Sequence, residues 1–251
     1  MTEEAKQQLN QGGRFDTYAR RARHAPVLIV TLPVITGTAL LFPAFANWNR
    51  LWLLAVSAGL LTLINQLGRD SGYRLQGKLW KSWGGPPTTL MLRHGQNTNS
   101  ILLEHRHAAI VRVTGIDMPN KTDEKRNPKK ADEKYGAAVS RLISLTRNAE
   151  QFPLIFKESC HYGFRRNMLG LRRAGVSICS VAAVAPALSF IPAIRKFISA
   201  PATILVLISG ISIVFLSFWL LAVKPQWVKR AGDAYASRLL EALDILPEKA
   251  K

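Results

Sequence analysis

The chain has 251 residues, of which 48% are hydrophobic, and its 34 Lys and Arg against 16 Asp and Glu give a formal net charge of +18. Those averages would fit a soluble protein, but the residues are distributed in blocks, and the blocks exclude a uniform water-soluble fold. Two cysteines, Cys160 and Cys179, exclude a disulfide framework, since Cys179 falls inside an apolar stretch and a reducing compartment fits both.

In chain order, residues 1–24 read as a cytosolic amphipathic arm, with Leu9, Phe15, Tyr18, Ala19 and Ala22 on one side and arginines opposite. Residues 25–46 and 51–67 then contain no Asp, Glu, Lys, Arg or His, and crossing hydrocarbon takes about 20 such residues. They are expected to form transmembrane hairpin 1 (25–67). The first stretch is too long and too rich in proline (Pro26, Pro33, Pro43) for a cleaved signal peptide. The shorter second stretch needs Trp48, Trp52 and Arg69 as interfacial anchors. Within it Ala55 and Gly59 offer a small-residue helix contact, and Asn65 and Gln66 are its strongest polar groups.

Residues 68–173 form a basic cytosolic domain, expected to be a small α or mixed α/β unit. Leu75, Leu79 and Trp83 share a helical face, and Gly84-Gly85-Pro86-Pro87 ends that helix in a tight reversal. Thr88–Arg93 and Ala108–Val113 are short enough for strands, while Ile101–Ala109 fits a helix equally well, so both alternatives stand. Residues 119–132, PNKTDEKRNPKKAD, offer nothing large and apolar to bury and are expected to be a mobile, protease-sensitive loop. Helical spacing resumes over Glu133–Arg147, and residues 154–173 lead into the next span.

Residues 174–194 and 197–223 again lack ionisable groups and give transmembrane hairpin 2 (174–223), with Arg172, Arg173, Trp219 and Trp227 as further interface anchors. From residue 224 a cytosolic amphipathic helix carries Val228, Ala231, Tyr235, Leu239, Ala242 and Leu246 as a stripe of helical period. That stripe needs a partner: the basic domain, another copy of the chain, or the membrane surface.

Cationic loops stay on the cytoplasmic side. Residues 68–173 carry twenty Lys and Arg, whereas the two short connections carry only Arg50, Arg195 and Lys196. Both termini and the middle domain are therefore expected in the cytoplasm of a multi-pass cell-membrane protein. The excess of positive charge suits anionic lipid headgroups more than nucleic acid.

Catalytic signatures are lacking. His105 and His107, with His94, Cys160 and His161, show no zinc-type spacing, so no metal and no cofactor is expected. Cys160 and His161 are adjacent and diverge on a helix or strand. Gly84, Gly85, Thr88 and Thr89 have no phosphate-loop pattern around them, and general acid-base chemistry has few candidates beyond Glu104 and Asp117. The best anion-binding candidates are Arg165 and Arg166 with Tyr162, which interleave aromatic and cationic groups, together with His105. The spans hold no ionisable group of the kind a coupled transporter uses.

The runs Arg69-Asp70-Ser71-Gly72, Trp80-Lys81-Ser82-Trp83-Gly84-Gly85-Pro86-Pro87-Thr88-Thr89 and Tyr162-Gly163-Phe164-Arg165-Arg166-Asn167 resemble those of a family of uncharacterised bacterial four-span inner-membrane proteins. The resemblance implies a bacterial inner-membrane setting and brings no activity. Together these readings predict a mainly α, polytopic, non-enzymatic membrane protein that forms a homo-oligomer. Its basic domain binds an anionic ligand or a cytosolic partner and gates a pore or disrupts a membrane. The alternative is a membrane-bound enzyme or assembly factor acting on lipid or nucleotide at the cytoplasmic face.

Overall fold

The computed structural model describes residues 19–41, 50–96, 99–195 and 200–248. Most of the predicted arm, the turn holding Pro43 and Trp48, and Lys196 lie outside the described residues, as do the side chains of Trp52, Ala55, Gly59 and Asn65. Among the described residues the regular elements are all helical. A π-helical turn, Ala19–His24, enters α1 (Ala25–Leu41). There follow α2 (Arg50–Trp83), α3 (Ser100–Thr114), α4 (Lys121–Arg126) and α5 (Pro128–Leu145). The chain continues through α6 (Pro153–Val184), α7 (Ala202–Leu221) and α8 (Pro225–Glu241). The chain divides into two compact units, Met1–Gln76 with Gly163–Val228, and Gly77–Tyr162 with Lys229–Lys251.

In the first unit, Val27, Val30, Met168, Leu171, Cys179, Trp219 and Val223 form the buried core. Glycines let α2 and α6 approach closely: a Cβ on Gly170 would lie 2.7 Å from the Gly72 backbone nitrogen, and one on Gly68 would lie 3.0 Å from the Leu171 side chain. Gly175 similarly leaves room for the Trp219 ring. Ser209 donates to the Ala183 carbonyl at 3.0 Å, tying α7 to α6.

Among the described residues two helical stretches are long and apolar enough to cross a membrane, Pro153–Phe190 and Ala202–Leu221. Only 17% and 22% of their most apolar windows are buried, and Val206, Leu207, Ile211, Ile213 and Val214 face outward. The expected third span loses α geometry at Val184, and Ala185–Phe190 continues as a 3-10 turn. Pro186, with no amide proton to give the ladder, stands at this break.

In the second unit, Ala131, Tyr135, Ala138, Val139 and Leu142 of α5 recur at helical spacing and pack with Ala109, Ile110 and Val113 of α3. Each fully buried Leu, Ile or Val contributes about 1.5–3 kcal/mol relative to exposure. Leu239, Leu240, Ala242, Leu243 and Leu246 complete this core, so the partner of the C-terminal stripe is the basic domain of the same chain.

Both open segments of this unit are helical. Pro87–Leu90 forms a single turn, and Ser100–Thr114 one helix. Asn99 caps that helix by accepting from the Leu102 amide at 3.0 Å, and Gly115 ends it in the left-handed region at φ 70°. The reversal at Gly84 and Gly85 forms as expected, with φ of 86° and 154°.

The loop expected over 119–132 is instead α4 and the first turn of α5. Asn120 and Asn127 accept from the amides of Asp123 and Lys130 at 2.8 and 3.1 Å, and Pro128 occupies the first helical position of α5. A polar segment can thus be ordered by caps and tertiary hydrogen bonds without burying large side chains.

Candidate functional site

A cavity of about 550 Å³ in the first unit is lined by Arg23, Arg69, Asp70, Tyr73, Arg74 and Arg166. Arg23 comes from the π-helical turn, the next four from α2 and Arg166 from α6. On α2 the pairs Arg69/Tyr73 and Asp70/Arg74 are each four residues apart, so they present neighbouring rows of one helical surface. The lining holds four guanidinium groups and one carboxylate, a net +3. Arg69 lies 3.4 Å from Asp70, with both side chains about half exposed at 46% and 50%, so this pair offsets little of that potential.

Arg166 is held from several sides. Its Nη1 donates to Gln76 Oε1, and its Cζ sits 5.9 Å from the Tyr73 ring centroid. Its Nε is buried and makes no hydrogen bond, a condition that costs about 1–3 kcal/mol for a polar donor and more for a charged one. The neighbouring Asn167, 3% exposed, donates to the Ala22 carbonyl at 2.8 Å. That bond fixes the residue preceding Arg23 against α6. The chemistry of such a lining is recognition of phosphate or carboxylate oxygens by forked N–H donors.

Of the four anion-binding residues singled out in the sequence, Arg166 lines this cavity. Arg165 packs over the Trp227 ring at 5.0 Å and donates to the Trp227 carbonyl at 3.0 Å. Tyr162 belongs to the second unit, where its hydroxyl accepts from Trp80 Nε1 at 3.3 Å and its ring runs parallel to Tyr235. His105, also in the second unit, is exposed and pairs with Asp244 at 2.9 Å. Arg165 and Arg166 thus belong to the first unit, and Tyr162 and His105 to the second.

Among the interface candidates, Arg69 lines the cavity, while Arg172 donates to the carbonyls of Trp219 and Leu220 at the end of α7. Arg173 is exposed. Trp219 is wholly buried, because Gly175 opens a slot for its ring inside the unit. Trp227 packs edge-on against Phe164 and Phe218.

The second unit holds a separate polar cluster. Glu124 of α4 accepts from the Tyr135 hydroxyl at 2.7 Å, the His94 amide at 3.0 Å and the Gly95 amide at 3.4 Å. Burial pushes its carboxyl up, but these donors outweigh burial and hold it below the usual carboxylate range. Burial, together with the bond to Glu124, raises the Tyr135 phenol. His94 and His107 sit edge to face at 5.0 Å, with Nε2 bonded to the carbonyls of Pro119 and Leu92. Burial lowers the His107 imidazole, partly opposed by the Leu92 carbonyl. Arg93 forks onto Asp132 at 2.9 and 2.6 Å and reaches the Gly84 carbonyl at 2.7 Å. These groups satisfy one another, which marks the cluster as structural. No group of three or more metal-ligating side chains occurs among the described residues.

Fold and cavity together define a mainly helical protein with, among the described residues, two candidate membrane-crossing helices and an arginine-lined recess. Comparison with protein-family models, curated proteins and solved structures finds no match. The sequence offered Arg166 through its aromatic-cationic run and Arg69 as an anchor. Arg23, Asp70, Tyr73 and Arg74 were missed, although the two four-residue spacings from Arg69 to Arg74 were a usable signal.

Proposed function

We propose that this chain is a non-enzymatic integral membrane protein whose task is to bind an anionic ligand at the cytoplasmic ends of its spans, in the cavity of Arg23, Arg69, Arg74 and Arg166. The arginine-lined cavity is the observation that carries the reading. It is supported by the outward apolar faces of α6 and α7 and by the concentration of positive charge in residues 68–173. In this reading the chain crosses the bacterial inner membrane four times, with both termini cytoplasmic. It assembles as a homo-oligomer, and binding biases how its spans pack, provided the ligand prefers one packing.

The test uses the full chain purified in mild non-ionic detergent, with inorganic pyrophosphate and anionic phospholipid as probes. Thermal unfolding should shift upward with at least one probe, and Arg69→Gln/Arg74→Gln should remove the shift while leaving elution volume unchanged. If no probe shifts the wild-type protein, the anion-binding reading fails. A reporter fused near residue 125 should remain cytoplasmic, and mass measurement in detergent should give more than one copy. Ligand-dependent dye release from vesicles separates a gated pore from a passive binder.

A further inference from the structure

Resting on that anion-binding reading, we infer that the ligand is a membrane lipid whose headgroup carries two or more negative charges, a phosphomonoester or a two-phosphate headgroup. The shared chemistry is a multiply charged phosphate, and the source is the bilayer rather than solution.

Charge sets the first half of this. Arg69, Arg74 and Arg166 set against Asp70 leave a net +2 before Arg23 is counted; a phosphodiester, which carries a single negative charge, balances this only in part, whereas a phosphomonoester carries about −1.5 to −2 at neutral pH. Clustered guanidinium groups repel one another, so each further negative charge on the ligand gains more here than on an isolated arginine. The fork geometry of Arg favours tetrahedral phosphate over a point contact. Arg166 is held in place by Gln76 and Tyr73 before any ligand arrives, which reduces the ordering cost of binding.

Position sets the second half. Exposed leucines flank the cavity's residues on two elements: Leu67, three residues before Asp70 and seven before Arg74 and so on their face of α2, is 52% exposed, and Leu28, in the first turn of α1, is 51% exposed. A soluble phosphate has no use for exposed leucines this near in the chain. A lipid does, since acyl chains cover them while the headgroup meets the arginines, and basic pockets between membrane helices on the cytoplasmic side suit polyanionic lipid heads.

The full chain, stripped of co-purified lipid, is placed in phosphatidylcholine nanodiscs doped to equal negative charge with phosphatidylglycerol, phosphatidic acid or cardiolipin. Lipid retention is read by native mass spectrometry. Phosphatidic acid or cardiolipin should be retained about tenfold more strongly than phosphatidylglycerol, a difference of ~1.4 kcal/mol. Arg74→Gln should abolish the preference, and Arg74→Lys should keep only part of it. Equal retention of all three lipids, lost in Arg74→Gln, overturns the charge requirement while sparing the anion-binding reading. Pyrophosphate that binds in undoped discs as tightly as the lipids do overturns the bilayer source. Absence of binding by every probe removes both this inference and the reading beneath it. A preference that persists in Arg74→Gln and in Arg69→Gln places the lipid elsewhere and overturns the site.

Discussion

Gly170 of α6 faces Gly72 of α2 so closely that a methyl group on Gly170 would come within 2.7 Å of the Gly72 nitrogen and 3.1 Å of its Cα. Backbone has nowhere to go, so Gly170→Ala must separate the two helices. The expected loss is about 1–3 kcal/mol, typical of overpacking, read by thermal unfolding in detergent. Gly136 in α5 has nothing within 4 Å, and Gly136→Ala should instead stabilise by about 0.5–1 kcal/mol through helix propensity. Similar effects at the two positions would contradict the close crossing.

Tyr135→Phe removes the shortest of the donors to Glu124. The expected cost is about 1–3 kcal/mol for leaving a part-buried acceptor short of a partner. Limited proteolysis gives a local readout: cleavage at the lysines and arginines between residues 121 and 130 should accelerate in the variant. An unchanged digestion rate would mean that the caps alone hold α4.

Acid should weaken the second unit through His107. Its imidazole is held below the ordinary value of about 6.5, so the unfolded chain binds the extra proton first as pH falls. The stability it contributes is complete above about pH 6.5 and erodes below it, down to the folded-state pKa. His107→Gln keeps a donor for the Leu92 carbonyl but cannot titrate. Its unfolding midpoint should therefore vary less between pH 7 and pH 5 than that of the wild type, and parallel curves would exclude His107 as the source.

Arg93→Lys tests the fork onto Asp132. A lysine cannot make two parallel bonds to the carboxylate and also reach the Gly84 carbonyl. About 1–2 kcal/mol of stability should be lost, with Asp132→Asn giving a similar decrement and the double variant little more. Additive losses would show that the two side chains act independently.

Much of the fold could be read from local pattern. The face of Leu75, Leu79 and Trp83 extended α2 to the glycine-proline turn, and the stripe from Val228 to Leu246 marked a helix in need of a core. Residues 119–132 carry no hydrophobic spacing, and their helices are instead specified by the capping residues Asn120, Asn127 and Pro128. The second unit was likewise undecided between strand and helix, since Ala108–Val113 is β-branched yet sits between Asn99 and Gly115, the cap residues that settle it. The cavity was only half legible: Arg166 stood out by its neighbours, but its meeting with Arg23 and Arg74 depends on the Gly72/Gly170 contact and the Asn167 bond to Ala22. No local pattern reports contacts between segments so distant in the chain.

Each unit is stitched from two separated lengths of chain, and the second closes only when residues 229–246 join Ala109, Tyr135 and Leu142. During synthesis, then, the basic domain emerges long before its last layer exists and must wait, incomplete, while α6 and α7 are made. A ribosome stalled after α7 would leave that domain with an open apolar groove, a natural target for chaperones and for the proteases that clear unfinished chains.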